Sequence, residues 1–474
     1  MTHPSLPLKS EVIVIGSGFA GLSAAIECRM RGGNVIVLEK MKALGGNSII
    51  SDGGIAAPNT PEQASLGIHD SVDWMFEDMQ KSAEGLNDPN ITRRVCEHAS
   101  EAYQWSKDVL GVKYLPRADI FGGHRVARCY TPDPLSGSTM ILKMRDKCKE
   151  LGIPILCGVA VVSFVLDDQK AVIGVVLDTN FSLDPNHPKQ LQNVYATKGI
   201  IIASGGFAAD DSFRLKHNPN ANVHVQTTNK ITTRAEVLEA CIQIHCKTAN
   251  LDLVQWMPWT TNDETGYGQG GLFGDYIVSS YGILIQTKTG QRFVNELANR
   301  KLITEKILES KDVIGIADAY ALANADWDLR QALHKGVIQA HQTWQDLADY
   351  YQVPLADLVE TIETYNLSIE TKIDPFQKKI EPWMKALQVP PYYSMRIHPK
   401  THYALGGLVT NAEAQVLDEN GHIMKGLFAV GEVTGLTHGA NRLGSCSITE
   451  CLVMGRIAGK NVLDTSNSMH AGLQ

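Results

Sequence analysis

The chain has 474 residues, of which 44% are hydrophobic and 20% are charged, and its formal net charge is −8. This length accommodates two domains and a large core. The acidic balance and the lack of a basic block exclude a nucleic-acid partner, because no patch could neutralise phosphates. Nine cysteines, an odd number without a Cys-x-x-Cys pair, indicate reduced thiols.

The N-terminal segment passes directly into a strand pattern. It shows no basic n-region, apolar h-region or small-residue cleavage site, which predicts that there is no export signal. No apolar run is long enough to cross a bilayer. We therefore expect a cytoplasmic protein without membrane insertion.

The first predicted elements are a buried strand, a glycine turn, a helix and a second strand. Gly16, Gly18 and Gly21 form a GxGxxG pattern directly after the apolar run Val12–Ile15. These glycines permit a tight turn, a close approach of backbone to a pyrophosphate, and close helix–strand packing. Glu39 ends the second strand, where a carboxylate can accept hydrogen bonds from a ribose diol. The pattern predicts a dinucleotide site without distinguishing NAD from FAD.

The next loop, Ala43–Thr60, carries two glycine pairs that frame Asn47 and Ser48. Backbone amides in such a loop can pack against the polar edge of a flat ring. With its GGNS…GG pattern the sequence resembles the flavoprotein family of fumarate reductases and succinate dehydrogenases. The resemblance continues through GIIIASGGFAAD (199–210), GLFAVGEVTG (426–435) and HGANRLG (438–444). It implies a bound FAD, and we expect it to be non-covalent because no residue suggests an attachment point.

The predicted FAD contacts combine the glycine pattern with what the resemblance implies, which includes Glu432 at the ribitol and Val161 on the adenine side. They are Gly16, Gly18, Gly21, Glu39, Lys40, Gly46, Asn47, Ser48, Gly53, Gly54, Val161, Ala203, Gly205, Gly431, Glu432, Arg442, Ser447 and Ile448.

Strand and helix patterns alternate at both ends of the chain, which predicts an α/β fold. We expect a discontinuous, Rossmann-like FAD-binding domain formed by residues 1–250 and 396–474. Residues 251–395 hold long helical patterns, and we expect them to form an inserted α+β capping domain. The segment 152–179 has the pattern of a short β-meander.

Three segments carry the predicted chemistry. TGQRFVNELANR matches the RFVNE…R motif of the family, which implies that Arg300 is the proton donor. In the segment PKTHYALGG, His402 takes the first position of a histidine pair in the family, and Tyr403 replaces the second. Arg442 lies at the mouth of a predicted helix, where a planar guanidinium can bind an oxyanion bidentately. We therefore predict that Arg442, with His402, binds and polarises a carboxylate of the substrate.

The chain also departs from the family pattern. Met257 stands where soluble fumarate reductases have a histidine, and an ungapped alignment places Asp275, Tyr276 and Ser279 at a Thr-Glu pair and a relay arginine. A second carboxylate would be poorly compensated there. We expect an enoate with an apolar or aromatic body rather than fumarate, although the aromatic residues also fit a plain core. The predicted substrate-binding residues are Met257, Tyr276, Tyr403, Trp256 and Asp275, with Trp259 and Tyr281 as further aromatic candidates.

The sequence favours an FAD-dependent oxidoreductase acting on CH–CH bonds by hydride transfer from flavin N5. Two alternatives stay open: a desaturase of a cyclic ketone or keto acid, using Tyr276 or Tyr403 as base, and a flavin subunit of an electron-transfer complex. Ketosteroid dehydrogenases, in the same superfamily, have a tyrosine where Arg300 stands and lack GANR. Because the chain has no haem-binding CxxCH, an external electron donor or acceptor is expected. The direction of the reaction is left undecided.

Overall fold

The computed structural model describes residues 8–184, 186–219, 225–325 and 328–464. The chain divides into two compact units. The first comprises Met1–Ala221, Lys230–Val254 and Tyr403–Gln474, and the second comprises Asn222–Asn229 and Gln255–His402. Relative to the predicted boundaries, residues 251–254 belong to the first unit, and residues 222–229 and 396–402 belong to the second.

The strands of the described residues are β1 (Lys9–Ile15), β2 (Val35–Glu39), β3 (Ile55–Ala56), β4 (Cys129–Tyr130), β5 (Ile155–Cys157), β6 (Ala160–Leu166), β7 (Val172–Asp178), β8 (Leu191–Ile202), β9 (Thr248–Ala249), β10 (Val254–Met257), β11 (Ile283–Gln286), β12 (Val313–Ala317), β13 (Gln339–His341), β14 (Tyr392–Arg396), β15 (Lys400–Ala404), β16 (Gly407–Leu408), β17 (Gln415–Leu417) and β18 (Ile423–Ala429).

The α-helices are α1 (Phe19–Met30), α2 (Pro61–Ser65), α3 (Val72–Ala83), α4 (Pro89–Asp108), α5 (Gly137–Glu150), α6 (Asp211–His217), α7 (Glu236–Gln243), α8 (Gly268–Leu272), α9 (Ser279–Tyr281), α10 (Arg300–Ser310), α11 (Ala319–Asn324), α12 (Arg330–His334), α13 (Trp344–Tyr351), α14 (Leu355–Thr371) and α15 (Cys446–Asn461). Short 3₁₀ turns lie at Ser48–Ile50 and Gly431–Val433, and a π-helical turn spans Phe273–Val278. Among these described helices, none has both the length and the apolar character that a membrane crossing requires.

The first unit is built on a sheet with the strand order β17-β18-β8-β1-β2-β5. The strands β18, β8, β1, β2 and β5 run parallel to one another. Both faces of this sheet are covered: Val12 and Val14 of β1 belong to one buried cluster, whereas Ile13 and Ile15 belong to another. A strand covered on both faces is apolar throughout, which is why its sequence is a continuous apolar run. The predicted Rossmann-like α/β fold is confirmed.

The segment 152–179 does not form the predicted meander. Its first strand, β5, joins the edge of the sheet parallel to β2, and only β6 and β7 form an antiparallel hairpin. The reason is the preceding helix α5, which provides the crossover that a parallel strand requires. The hairpin continues antiparallel onto β8.

Helix α15 packs closely on α1 through glycines. A Cβ at Gly455 would lie 2.6 Å from the carbonyl oxygen of Ala20, and one at Gly459 would lie 2.3 Å from that of Ala24. Only glycine permits this backbone contact. The packing determines where α15 begins, and therefore where the segment before it lies.

The second unit contains an antiparallel sheet with the order β11-β12-β14-β13. Helices α13 and α14 contribute to its apolar core. The RFVNE segment has a structural role here: Arg292 pairs with Glu296 and Asp374, and Lys378 also lies 3.3 Å from Glu296. All four side chains are buried, so the cluster compensates its own charges.

Candidate active site

The glycine turn after β1 takes the conformation that its pattern predicts. Gly16 has a φ of +106°, and a Cβ there would lie 2.2 Å from the carbonyl oxygen of Ala203. A Cβ at Gly21 would lie 2.0 Å from the carbonyl oxygen of Gly16. Gly18 is the N-cap of α1 and provides no side-chain cap, and Ser48 Oγ instead accepts a hydrogen bond from the Phe19 amide in the first turn.

The three parallel strands β1, β8 and β18 end at one edge of the sheet. Ile15 and Ala429 both pair with Ile202, so the turns after these residues emerge side by side. Six of the predicted cofactor residues lie in the turns at this edge. They are Gly16, Gly18, Ala203, Gly205, Gly431 and Glu432. The carboxyl end of a parallel sheet is where open α/β folds bind their ligands.

Glu39 ends β2, as predicted, and its carboxylate is already bound by protein donors. It accepts hydrogen bonds from the Ser17 hydroxyl (2.5 Å) and amide (3.2 Å) and from the Met41 amide (2.9 Å). The neighbouring Lys40 is half-buried and forms an ion pair with Glu236 at 3.0 Å. The carboxylate is therefore held in place, and the ammonium is directed to a protein acid.

The loop after β2 is held by its polar side chains. Asn47 Oδ1 accepts hydrogen bonds from the Lys230 amide (3.0 Å) and the Thr233 hydroxyl (3.1 Å), and Ser48 Oγ accepts one from the Phe19 amide (3.1 Å). Some glycines of this loop lie in close contact and others do not. An added Cβ would lie 2.8 Å from Pro132 at Gly53 and 2.8 Å from Ser445 at Gly54, whereas at Gly46 no described atom lies within 4 Å of it.

The remaining predicted cofactor residues differ in exposure. Val161 is buried in β6 and belongs to the apolar core of the hairpin side. Gly205 has a φ of +81° and no described atom within 4 Å of an added Cβ. Ser447 and Ile448 lie in the first turn of α15, where Ser447 is half-buried and Ile448 is buried.

Two buried acids lie behind Gly431. Glu432 accepts a hydrogen bond from the Ala404 amide (2.8 Å), and Glu450 accepts one from the Gly431 amide (3.0 Å). Burial raises the pKa of each carboxyl to about 7. Sequence reasoning missed Glu450, although an acid inside the apolar run SITECLVMG was a usable signal.

Arg442 lies in the segment between the 3₁₀ turn and α15 and is 5% exposed. Its guanidinium carbon is 4.8 Å from the ring centre of Tyr403, and Nη1 donates to the Leu443 carbonyl (3.1 Å). The His438 ring lies edge-on to the same tyrosine, with 5.7 Å between the ring centres. Burial, and then the charge of Arg442, lower the pKa of His438 to about 3. Sequence reasoning missed His438, although it begins the HGANRLG motif.

Arg300 is the first residue of α10, which Asn299 caps. Its Nη2 donates to Asp275 Oδ2 at 3.0 Å, and the Tyr267 hydroxyl donates to the same oxygen at 3.1 Å. Asp275 is buried, whereas Tyr267 is half-buried. The phenol, carboxylate and guanidinium thus form a continuous hydrogen-bonded chain.

A π-helical turn presents the carboxylate of Asp275. Such a turn contains one more residue than an α-helical turn and shifts the following side chains around the axis. The ungapped alignment placed Tyr276 at the position of the family's glutamate, but Asp275 contacts Arg300. Tyr276 is buried beside it, and the Ser279 hydroxyl donates to the Asp275 carbonyl. Gly274 allows the turn to approach Trp259, whose carbonyl oxygen would lie 2.4 Å from an added Cβ.

Tyr267 and Lys400 were also missed by sequence reasoning. The Tyr267 ring lies against Gly271, where an added Cβ would be 3.0 Å from three ring atoms. The fully buried Lys400 donates to the carbonyls of Glu264 and Gly266, which precede the tyrosine. Burial lowers the pKa of Lys400 to about 8. Neither residue belongs to a recognisable motif, so only the fold reveals them.

Of the other predicted residues of the second unit, Trp256 and Met257 lie on β10 and His402 lies on β15, and these two strands pair with each other. His402 Nδ1 lies 2.7 Å from the Thr228 hydroxyl. Met257 and Trp256 are neighbours on β10, so their side chains point to opposite faces of the strand, with Met257 buried and Trp256 half-buried. They cannot both line one side of a site. Tyr281 makes an edge contact with Tyr320, 6.4 Å between centres.

Several known proteins are similar to this chain over most of its length. The profile of a family described as an FAD binding domain matches residues 11–448. The acrylate reductase flavoprotein subunit of Shewanella woodyi is 36% identical over 95% of this chain and 90% of its own length. The urocanate reductase of Eggerthella lenta is 31% identical over 95% of this chain and 74% of its own. Among solved structures, that of the open conformation of a flavocytochrome c3 fumarate reductase matches this chain with a TM-score of 0.76 and 29% sequence identity. The match covers 97% of this chain and 79% of that one.

Proposed function

The chain belongs to the FAD binding domain family, and from this premise we propose that it reduces, or forms, a carbon–carbon double bond next to a carboxylate. It is an FAD-dependent oxidoreductase. The proposed substrate is an enoate with one carboxylate and an apolar or aromatic body. The observation that carries the proposal is the hydrogen-bonded chain from Tyr267 through the buried Asp275 to Arg300.

The first unit has the features that a bound FAD requires. The N-terminus of α1 and the glycine-only turn at Gly16 suit a pyrophosphate, and the main chain at Gly46 and Gly205 has no described atom within 4 Å of an added Cβ. Glu39 and Glu432 are carboxylates that can accept from hydroxyl groups of the cofactor. Once bound, the flavin supplies or accepts the hydride. We propose that it is held without a covalent bond, because these contacts suffice to position it.

Arg442 is proposed to bind the substrate carboxylate. Its guanidinium stacks on an aromatic face, donates to a main-chain carbonyl and acts electrostatically on the buried Glu432 carboxyl. A buried positive charge stabilises the negative charge that develops on the carboxylate as the double bond receives hydride. His402 is proposed as a further donor to the substrate.

Arg300 is proposed to donate the proton. A guanidinium is normally too weak an acid for this role, because free arginine stays protonated at physiological pH. When Arg300 gives a proton to the substrate carbon, Asp275 passes a replacement proton to Arg300. Asp275 receives that proton from the Tyr267 hydroxyl. Tyr267 is half-buried and recovers its proton from solvent. In the direction of desaturation each transfer is reversed.

The same ion pair disfavours a second substrate carboxylate. Arg300 is neutralised by Asp275 at 3.0 Å, so it does not offer a full positive charge to another anion. The carboxylate of Asp275 would repel one as well. Met257 and Tyr276, which replace polar groups of fumarate reductases, are buried and uncharged. A relative that acts as an acrylate reductase, whose named substrate has one carboxylate, supports this choice.

The electron partner is proposed to be a separate protein. The matched relative from Shewanella woodyi is named a flavoprotein subunit, and a subunit functions together with another chain. Reduction by an artificial donor such as a viologen would bypass the partner in an assay.

The test is to mix anaerobically reduced holoenzyme with acrylate, cinnamate, urocanate, fumarate and cyclohexenone and to follow the return of oxidised-flavin absorbance. We expect enoates with one carboxylate to reoxidise the flavin, with fumarate slower by about 100-fold because its second carboxylate is uncompensated. Cyclohexenone should not react, since Arg442 then lacks its anion. Fast turnover of fumarate would reject the substrate class, and fast turnover of the enone would favour the ketone alternative.

A further inference from the structure

The segment from Thr437 to Gly444 is held to the rest of the first unit by polar contacts. The Thr92 hydroxyl donates to the Thr437 carbonyl (2.9 Å), the Ala440 amide donates to the Ala83 carbonyl (3.0 Å), the Ser82 hydroxyl donates to the Asn441 carbonyl (2.8 Å), and His124 Nε2 lies 3.0 Å from the Gly444 carbonyl. These contacts fix the backbone, so the side chains of His438 and Arg442 are positioned before any ligand binds.

The ring nitrogens of His438 lack hydrogen-bond partners within the part of the chain that the structure describes. The residue is 6% exposed, and both of these atoms are buried. Buried polar atoms are nearly always paired, because leaving one without a partner costs the free energy of a lost hydrogen bond. A ligand that accepts a hydrogen bond at this point removes that cost.

The surroundings of His438 indicate which ligand it would take. Its ring and the guanidinium of Arg442 both contact the Tyr403 ring, at 5.7 and 4.8 Å between centres. Because the cation is near and water is excluded, the imidazole stays neutral and keeps one N–H donor and one acceptor. A neutral donor next to one cation matches a ligand with a single negative charge.

We propose that His438 donates a hydrogen bond to the same substrate carboxylate that Arg442 binds. This inference rests on the proposed function of Arg442 and adds a residue to its site. A neutral imidazole contributes a directional bond without a second charge, so it favours a monocarboxylate. Tyr403 supplies the aromatic surface against which both groups are ordered.

The experiment measures binding of a product-like carboxylate to oxidised holoenzyme, followed by the perturbation of flavin absorbance. Propionate and 3-phenylpropionate are the probes, and propionamide is the uncharged comparison. In His438→Phe we expect their dissociation constants to rise about 10- to 100-fold, as for the loss of a hydrogen bond to a charged group. His438→Gln, which retains an amide donor, should recover part of the affinity. Propionamide binding should change much less in either variant.

The matched control is His341→Gln. His341 is equally buried, but its Nε2 already lies 2.8 Å from the Ser394 hydroxyl in the second unit. We expect unchanged carboxylate binding there. If His438→Phe does not fold, the His438→Gln titration decides, with at least a threefold loss expected relative to wild type.

Unchanged dissociation constants in the folded His438 variants would overturn the inference, as would a loss of FAD content with carboxylate affinity preserved. Arg442→Lys distinguishes a failure of the role inferred for His438 from a failure of the role proposed for Arg442. If this variant weakens carboxylate binding and the His438 variants do not, only the role of His438 is wrong. If neither change weakens binding, the proposed role of Arg442 is wrong.

Discussion

Arg442 is a buried guanidinium group and Arg300 is a half-buried one, and their surroundings differ. Arg442 contacts an aromatic ring and a main-chain carbonyl, and its charge acts on His438 and Glu432. Arg300 is bound to the carboxylate of Asp275, which a phenol also contacts. We propose that the guanidinium against the aromatic ring binds an anion, whereas the one bound to a carboxylate is part of a path for protons. The same side chain is therefore suited to binding in one unit and to proton transfer in the other.

The largest effect is expected from Arg300→Gln, because an amide cannot act as the acid, whereas a lysine would keep an ammonium that can. Loss of the proton donor should lower kcat by about 10³- to 10⁴-fold, because general acid catalysis contributes up to this amount. Flavin reduction by viologen and the binding of propionate should be unchanged. Stopped-flow reoxidation by acrylate measures the effect. The control is Lys306→Ala, an exposed position on the same helix. A kcat within tenfold of the wild-type value would show that Arg300 is not the acid.

Arg442→Lys should have the next largest effect. A lysine keeps the charge but loses the planar fork and the contact with the Tyr403 face. We expect kcat/KM for acrylate to fall by about 10²- to 10³-fold, with weaker propionate binding. If only kcat falls while binding persists, the contrast between the two arginines is wrong, because Arg442 would then also act in the chemical step.

Asp275→Asn tests whether the pair at Arg300 transfers protons or only positions the side chain. Asparagine retains an acceptor for Nη2 but cannot pass a proton. We expect kcat to fall by about 10- to 100-fold, with a smaller decrease in Tyr267→Phe. A solvent isotope effect on reoxidation should rise in both variants. Asp312→Asn, in an exposed ion pair with Arg396, is the control. Wild-type kcat in Asp275→Asn would mean that the carboxylate has no role in proton supply.

The smallest effect concerns stability. The folded apoprotein holds the protons of Glu432 and Glu450 up to about pH 7, whereas the unfolded chain releases them near 4.5. The native state therefore loses stability as pH rises from about 5 to 8. Glu450→Gln should raise the melting temperature of the apoprotein at pH 8 by a few degrees and flatten this pH dependence.

Glu413→Gln is the control for that measurement. Burial acts to raise the pKa of Glu413, but its hydrogen bonds to Arg94 and Asn461 contribute to a net lowering of that pKa. Its removal should lower stability slightly at neutral pH, which is the opposite sign. Equal effects from the two substitutions would show that the buried acids do not control the pH response.

The cofactor side of the molecule was predictable because its motifs encode backbone geometry. Gly16 and Gly21 are required by contacts under 2.5 Å from an added Cβ, and such requirements are local in sequence. Glu39 followed from its position at the end of a strand. Lys40 shows the limit of this reasoning, because its partner Glu236 is about two hundred residues away and could not be inferred.

The sequence alone determined the fold class, and its resemblance to a flavoprotein family indicated FAD and singled out two arginines as candidates, because apolar periodicity, glycine spacing and short motifs are local properties. The tertiary structure decided which groups each arginine meets. Asp275, on a π-helical turn, contacts Arg300, a buried lysine donates to the segment before Tyr267, and His438 and Arg442 both contact the Tyr403 ring. These contacts join residues that are distant in sequence, and only packing specifies them.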